Sequence, residues 1–595
     1  MTKYAQHVSR KATPQSEKAH PKQEQNNAEG FAFVIDDWAR LDRFLILGAD
    51  GGTYYVGEKK LTKDNATCIE RCLNADGIKT VNRIVEISDS GRAPKNDPAI
   101  FALALAAAHE KPEVRKAALD ALPKVCRIGT HLFHFAASVE QLRGWGRSLR
   151  KAIGAWYTNR KPEQLAYQVV KYQQRDKWAH RDLLRLAHVA TDDATKQAIF
   201  RWVVAGADAL GERDVKRKVN GKKEEREAKY GSVSEALPAF ISAFEELKAC
   251  KDEKRLIQLI GEHRFTHEMI PTEFKNSADV WEALLAHMPM TAMVRSLAKM
   301  SQVGLLKPLS AASKTVCEKL VDKDMLKKAR VHPIALLSAL KVYEQGHGVR
   351  GSLKWEAVPQ IVDALDEAFY LAFDTIEPTG KNILLALDVS GSMDGGTIAG
   401  VPGLTPRLAA AAMAMVIARS EKNWHCIGFS SGASGEWRHG NGRSQWSGMG
   451  YHAGITSLTI SPKQRLDAVV KTMQKVPMGG TDCALPMLYA SAKKLEVDAF
   501  VTLTDNETWA GDIHPHQALE KYRRETGRAS KMVVIGMTAT EFSIANKDDA
   551  GSLDVVGMDT AAPQVIADFI RGERELTPVE GAGYRDAALA ETETE

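Results

Sequence analysis

The fold of the C-terminal third of this chain is decided by residues 381–393, KNILLALDVSGSM. An apolar run, residues 383–387, ends at Asp388 and is followed by Ser390 and Ser392. A short apolar run bounded by turn residues is typical of a strand that is buried on both faces of a parallel sheet. The loop after it carries a carboxylate and two hydroxyl groups on alternate residues. This all-oxygen set suits a hard divalent cation, and we expect Mg²⁺.

Two later loops carry matching side chains. The sequence GGTD at 479–482 follows a helical pattern, and Asp505 ends the apolar run at 499–503. Ligands gather at the carboxyl ends of the strands in an open parallel sheet, so we expect these loops to converge. The predicted metal ligands are Asp388, Ser390, Ser392, Thr481 and Asp505. The pattern resembles the metal-ion-dependent adhesion site of von Willebrand factor A domains. A set of helix N-caps would use the same residue types, but it does not explain why three loops share them.

Strands and helices alternate after residue 381, which predicts a doubly wound α/β domain with a parallel sheet and helices on both faces. Strands are predicted at 383–387, 424–430, 499–505, 531–539 and 553–558. Helices are predicted at 406–420, 465–476, 483–495, 515–526 and 563–571. A Gly- and Ser-rich excursion at 431–457 lies beside the predicted metal site.

Residues 61–370 read as helical nearly throughout, with apolar residues at helical spacing and recurring breakers such as Pro162 and Pro333. Such a series predicts stacked helical hairpins in the manner of HEAT repeats. The insert at 211–231 carries many charges of both signs, and we expect an exposed helical projection. The predicted domains are a flexible N-terminal arm at 1–30, a helical-repeat RNA-binding domain at 31–375, an A domain at 376–572 and an acidic disordered tail at 573–595.

Length and composition describe an ordinary globular chain of three or four domain-sized units, with 595 residues and 44% hydrophobic content. The sequence has no apolar run of about 18 residues and no signal-peptide core, so we expect no membrane association. Its seven cysteines form no disulfide framework, and we expect a protein of the reducing cytoplasm.

The positive charge is concentrated in one segment. Residues 111–190 hold 16 Lys and Arg against six Asp and Glu, although the whole chain carries a net charge of only +5. Cations interleaved with Trp and Tyr suit RNA, because phosphates need cations and unstacked bases need flat partners. His180 in this segment either contacts RNA or is a satisfied helix histidine. The candidate RNA-binding residues are Lys124, Arg127, Arg143, Arg147, Arg150, Lys151, Lys171, Arg175, Lys177, His180 and Arg181.

Several long motifs in the same order resemble the Ro autoantigen family. KYQQRDKWAHRDLLRLAH at 171–188 and RVHPIALLSALKVYEQGHGVRG at 330–351 are similar to its TROVE module, and LALDVSGSM and GGTDCALPM are similar to its A domain. The resemblance covers about residues 14–572. It implies a monomeric ring of HEAT-like helices that is closed by the A domain, and it implies that His180 takes part in RNA binding.

The resemblance also implies function. Such rings bind small noncoding Y RNAs on a basic outer surface and single-stranded 3′ ends of misfolded RNAs in a central hole. It further implies RNA quality control and stress survival together with a 3′ exonuclease, polynucleotide phosphorylase.

Two other classes of function are alternatives to an RNA-binding protein. A protein-binding adaptor would use the metal to capture a carboxylate of its partner, with the basic segment incidental. An enzyme would use Asp388 and Asp505, but the chain has no GxxxxGK[ST], HExxH or GxSxG motif and no carboxylate cluster for two metals. We therefore expect a protein without catalytic activity.

Overall fold

The computed structural model describes residues 12–50, 52–210, 213–219, 222–230, 232–348, 352–373, 376–398, 401, 403–431, 437–443, 450–476, 479–560 and 562–572. The predicted tail at 573–595 and the first 11 residues of the predicted arm lie outside this set. None of the helices in these ranges combines the length and the apolar character that crossing a membrane requires.

Helices dominate the chain up to Leu371. They are α1 (Asp37–Leu47), α2 (Glu58–Ser90), α3 (Asp97–Ala108), α4 (Pro112–Val125), α5 (Gly129–Leu142), α6 (Arg147–Thr158), α7 (Pro162–Lys171), α8 (His180–Ala187), α9 (Ala194–Ala205), α10 (Ala239–Ala249), α11 (Glu253–His263), α12 (Ala278–His287), α13 (Met290–Gln302), α14 (Ala311–Leu320), α15 (Lys323–Lys328), α16 (Pro333–Glu344) and α17 (Pro359–Leu371). Alternate helices pack their apolar sides on one another, as α2 does on α4, α4 on α6 and α6 on α8. The predicted helical domain is confirmed.

The strands of the described residues form one large sheet and three small ones. They are β1 (Gln23–Gln25), β2 (Phe31–Val34), β3 (Gln174–Arg175), β4 (Trp178–Ala179), β5 (Arg213–Val219), β6 (Lys222–Tyr230), β7 (Ile383–Asp388), β8 (Trp424–Ser431), β9 (Trp437–Arg443), β10 (Gly450–Ser457), β11 (Ala499–Thr504), β12 (Lys531–Gly536), β13 (Phe542–Ser543) and β14 (Ser552–Val556). The C-terminal helices are α18 (Pro406–Ser420), α19 (Leu466–Gln474), α20 (Leu485–Lys493), α21 (Pro515–Thr526) and α22 (Ala562–Arg571).

The large sheet has the strand order β14-β12-β11-β7-β8-β10-β9. Its first five strands are parallel, and β10 and β9 continue it antiparallel within the predicted excursion. Every residue of β7 and β11 is buried. Leu385 packs into a core with α18 and α19, whereas Leu384 packs into a second core with α20 and α21. The predicted doubly wound domain with helices on both faces is confirmed.

The charged insert does not form the predicted helix. Strands β5 and β6 pair antiparallel, and Val219 is opposite Lys222, which leaves two residues between the strands. The sequence between them is Asn220-Gly221, the dipeptide that most strongly favours a two-residue hairpin turn. The prediction of a helix rests on the density of charge and does not take the Asn-Gly dipeptide into account.

Residues 12–30 are not the flexible arm that their polar composition predicts. Strand β1 pairs with β2, and β2 pairs with β13 of the α/β domain. The side chain of Gln15 is completely buried, and it donates to Asp482 Oδ1 (2.7 Å) and to the carbonyl oxygen of Ile513 (2.8 Å). This segment packs so closely against the α/β domain that a Cβ on Gly30 would lie 2.0 Å from the carbonyl oxygen of Thr508. Hydrogen bonds from Gln and Asn side chains therefore replace the apolar contacts that the sequence lacks.

The two ends of the helical series meet. His332, just before α16, donates from Nε2 to the carbonyl oxygen of Arg92, just after α2 (3.0 Å). Arg92 in turn pairs with the buried Asp559 of the α/β domain (3.2 Å). At the other end of α16, Arg465 of the α/β domain lies 3.5 Å from Glu344. The helical series is therefore closed, and both of its ends contact the α/β domain.

We predict that Gln15→Ala lowers the free energy of unfolding by about 1–3 kcal/mol, because it leaves the buried Asp482 carboxyl without one of its donors. The matched control is Glu24→Ala, which removes an exposed side chain from the same segment. Urea denaturation monitored by circular dichroism gives both values. Equal midpoints for the two variants would contradict the buried role of Gln15.

Candidate functional site

Four of the five predicted metal ligands are brought together at the carboxyl ends of β7 and β11. Ser390 N–H donates to Asp388 Oδ1 (2.9 Å), and the hydroxyl groups of Ser390 and Ser392 lie 3.1 Å apart. Thr504 Oγ1 donates to Asp388 Oδ2 (2.7 Å), which joins the two strands. Ser392 also lies next to Asp505. The convergence follows from strand register, because Leu387 of β7 is opposite Leu503 of β11.

Thr481, the fifth predicted ligand, lies on the loop that adjoins this cluster. Its carbonyl oxygen accepts from the N–H groups of Trp509 and Ala510, both at 3.0 Å, so the GGTD loop is tied to the segment after Asp505. Its hydroxyl group is buried and has no hydrogen-bond partner among the described residues. An unsatisfied buried hydroxyl is costly, and a ligand such as a cation would supply the missing interaction.

The electrostatics of the cluster favour a positive ligand. Burial, and then the neighbouring Asp388 carboxylate, raise the pKa of Asp505 to about 8. Burial likewise raises the pKa of Asp388, although hydrogen bonds from Ser390 and Thr504 oppose the shift. Two buried carboxylates disfavour each other's charged forms, and an opposite charge between them reverses that preference.

Sequence reasoning missed Glu507, which is also buried here. Its Oε1 accepts from Asn27 Nδ2 (2.7 Å), and its Oε2 has no hydrogen-bond partner in the part of the chain that the structure describes. Burial raises the pKa of Glu507 to about 7. Within the described ranges, no three His, Cys, Asp or Glu side chains are placed to hold a metal. A cation here would therefore rely on hydroxyl oxygens as well as on the two carboxylates.

The predicted RNA-binding residues lie on neighbouring elements, from the end of α4 to α8. We call the exposed members the basic surface, and they are Lys124, Arg127, Arg143, Arg147, Arg150, Lys151, Arg175, Lys177 and Arg181. Arg147, Arg150 and Lys151 project from α6, and none of the three has a carboxylate partner among the described residues. Lys171 is half-buried and lies 4.0 Å from Glu268. Arg175 and Arg181 each lie 3.7 Å from the neighbouring Asp176 and Asp182. The α6 cations are therefore the members of the basic surface best placed to meet phosphate groups.

Arg143, Arg147, Arg150 and Lys151 are three to four residues apart or adjacent in the sequence, which predicts that they share one helix face, but Arg143 does not lie on the helix of the other three. Helix α5 ends at Leu142, and α6 begins at Arg147. Gly144 between them has φ +79°, a left-handed conformation that ends a helix and that glycine adopts readily. Arg143 donates instead to the carbonyl oxygen of Ala108 (3.3 Å).

His180 is not on the surface. Its side chain is 2% exposed, and its ring packs against Phe133, Trp156 and Tyr157. The hydroxyl group of Tyr157 lies 2.8 Å from Nδ1, and burial lowers the pKa of His180 to about 3. The reason is its place on the buried face of the strongly amphipathic α8, one turn from Leu183 and Leu184. In this conformation His180 supports the elements that carry the basic surface rather than contacting a ligand.

The aromatic residues divide into core and surface groups. Trp156 and Tyr157 are buried in the helical core. Trp145 and Trp178 are half-buried, and their ring centroids lie 5.6 Å apart. This pair joins the α5–α6 connection to β4, so flat apolar surface lies beside the cations of the basic surface.

An open groove adjoins Arg127 of the basic surface, with a volume of about 540 Å³. It is lined by Arg127, Arg160, Glu163, Gln164, Tyr167 and Gln168. Arg160 stacks on Trp156 with its guanidinium carbon 3.5 Å from the ring centroid. Neither Arg160 nor Tyr167 was predicted from the sequence, although Arg160 belongs to the same basic segment.

Comparisons with known proteins agree with both halves of the fold. A model of the TROVE domain matches residues 24–341, and a model of the Ro60 vWA domain matches residues 382–570. The chain is 40% identical over 562 residues to RNA-binding protein RO60 of Deinococcus radiodurans, covering 94% of this chain and 97% of the relative. It is 35% identical over 616 residues to RNA-binding protein RO60 of Caenorhabditis elegans, covering 94% and 92%. The crystal structure of the Deinococcus radiodurans RO (RSR) protein is similar with a TM-score of 0.62 and 39% identity, covering 91% of this chain and 100% of that one.

We predict that His180 makes stability depend on pH. Its pKa is lower in the folded protein than the ordinary 6.5, so the unfolded chain binds the proton more tightly. The stabilisation is present above pH 6.5 and is lost as the pH falls below it, by about 1 kcal/mol at pH 5.5. Denaturation at pH 7.5 and 5.5 should show a smaller loss in His180→Gln than in the wild type. The control His287→Gln changes an exposed histidine, and an unchanged pH response in His180→Gln would refute the assignment.

Proposed function

Since this chain belongs to the Ro60 family of TROVE and von Willebrand factor A domain proteins, we propose that it is an RNA-binding protein. The observation that carries the proposal is the basic surface. Its α6 cations have no carboxylate partner among the described residues and lie in the segment that holds the charge surplus. Unpaired cations bind phosphates by releasing counterions, and this gives affinity for RNA that is strong at low salt.

The Trp145–Trp178 pair and the groove beside Arg127 support an RNA ligand over other polyanions. Aromatic rings next to cations bind unstacked bases while the cations hold the backbone. We propose that the basic surface takes structured noncoding RNA of the Y type, and that single-stranded 3′ ends of misfolded RNAs enter the centre of the closed helical series. The protein would act in RNA quality control and stress survival in the cytoplasm, with polynucleotide phosphorylase as a partner exonuclease.

We also propose that the oxygen cluster on the α/β domain binds one divalent cation, with Mg²⁺ as the expected ion. The donor set fits, because it combines two carboxylates with the hydroxyl groups of Ser390, Ser392 and Thr481. Hard divalent cations prefer such oxygens. When bound, the ion would supply the positive charge that the two buried carboxylates need. These residues hold and orient the ion, and the proposal includes no catalytic step.

The adaptor function is less well supported. A metal that captures a carboxylate of another protein needs an accessible face, yet none of the five predicted ligands is more than 4% exposed. The relatives are named as RNA-binding proteins, which likewise favours a binding protein over an enzyme.

Reversing two cations of α6 should weaken RNA binding. Arg147→Glu together with Arg150→Glu should reduce the affinity for a structured RNA on the order of tenfold and flatten the slope of log K against log salt by about 2. Gel shifts across a salt series measure both. The control, Lys475→Glu with Lys493→Glu, changes the net charge equally on the α/β domain. A double variant of α6 that matches the wild type in affinity and slope would exclude these two residues.

Removing one carboxylate should separate the two proposed sites. Asp388→Ala should abolish uptake of Mg²⁺ in calorimetry, because one of only two charged ligands is lost, while RNA affinity stays within about twofold. Asp512→Ala, which removes an exposed carboxylate from the same domain, is the control. Wild-type metal uptake in Asp388→Ala would refute the site.

A further inference from the structure

The connection between α1 and α2 lies on the proposed cation site. This connection, residues 48–57, belongs to the helical region, whereas the site belongs to the α/β domain. The side chain of Tyr55 lies next to that of Ser392, one of the proposed ligands. The Tyr55 side chain is half-buried there, near the carboxylates of Asp505, Glu507 and Asp388.

The backbone of the connection is in direct contact with the loop that follows β7. A Cβ added at Gly395 would lie 2.5 Å from Cδ2 of Tyr54. One added at Gly396 would lie 3.0 Å from the carbonyl oxygen of Gly52. Residues 395 and 396 therefore leave room for the connection, and the two loops fit against each other at backbone distance.

The connection is held in a fixed turn. The N–H of Thr53 donates to the carbonyl oxygen of Val56 (2.8 Å), and the N–H of Val56 donates to Thr53 Oγ1 (3.0 Å). Gly52, at φ +62°, has a conformation that favours glycine. Tyr55 is thus presented to the site by a closed turn and not by a free loop.

We propose that Tyr55 completes the cation site from within the chain, its hydroxyl group lying where a carboxylate of a partner protein would otherwise lie. The inference rests on the proposed cation site and adds its accessory ligand. A phenol oxygen is a neutral hard donor and is compatible with an all-oxygen set. The buried, unpartnered hydroxyl of Thr481 is a second sign that this pocket is built for a ligand. The site then links the helical region to the α/β domain instead of receiving another protein.

The test is calorimetry of the full chain with MgCl₂, in chloride buffer and again with acetate as a soluble carboxylate. Tyr55→Phe keeps the ring and its packing and removes only the hydroxyl group, and Tyr55→Ala opens the position. The matched control is Tyr54→Phe, which makes the same change in a neighbouring side chain that is 60% exposed.

Tyr55→Phe should bind Mg²⁺ about tenfold more weakly than the wild type, as is usual when a group that supports the ligands is lost. Acetate should restore the affinity of Tyr55→Ala and leave the wild type and Tyr54→Phe unchanged. Wild-type affinity in both Tyr55 variants, or an equal effect of acetate on the wild type, would overturn the role of Tyr55 but not the cation site. No uptake of Mg²⁺ by the wild type would overturn the cation site as well.

Discussion

The arrangement of the two halves depends on one buried cation, Arg43 of α1. Its side chain is 1% exposed although it belongs to the helical region. Its guanidinium donates to the carbonyl oxygens of Thr540 (2.9 Å) and Phe542 (2.7 Å) and pairs with Asp554 (2.5 Å), all in the α/β domain. A buried charge is tolerated only when it is paired and hydrogen-bonded. Helix α1 therefore cannot leave the α/β domain without stranding that charge.

Much of the candidate chemistry follows from this docking. The segment before α1 continues the small sheet onto β13 and buries Gln15 beside the GGTD loop. The connection after α1 brings Tyr55 to Ser392. Helix α1 thus fixes the segment before it and the connection after it, both of which pack beside the cation site. It also starts the helical series that carries the basic surface. The far end of that series is hydrogen-bonded to Arg92, and Arg92 pairs with Asp559 of the α/β domain. The helical region and the α/β domain therefore hold each other in one closed arrangement.

The sequence alone predicts the secondary structure where the signal is local. The apolar run before Asp388 and the helix at Pro406–Ser420 were predicted to within a residue, because burial on both faces and helical periodicity leave few alternatives. It failed where tertiary contacts decide. Gln15 is polar, and its side chain donates to Asp482 and Ile513 of the distant α/β domain. His180 is a histidine in a basic segment, which suggests contact with a ligand. Only the packing of Phe133 and Trp156 around it shows that it is buried. Tyr55 lies more than 300 residues from Ser392, and no periodicity connects them.

The central claim is that a closed series of helices with an exposed basic surface binds RNA. It is tested most directly by measuring the affinity of the purified protein for one structured RNA, with and without a single-stranded 3′ tail, across a salt series. The account predicts binding to both at low salt, with log K falling linearly against log salt, and tighter binding of the tailed RNA. Failure to bind either RNA in dilute buffer would contradict it.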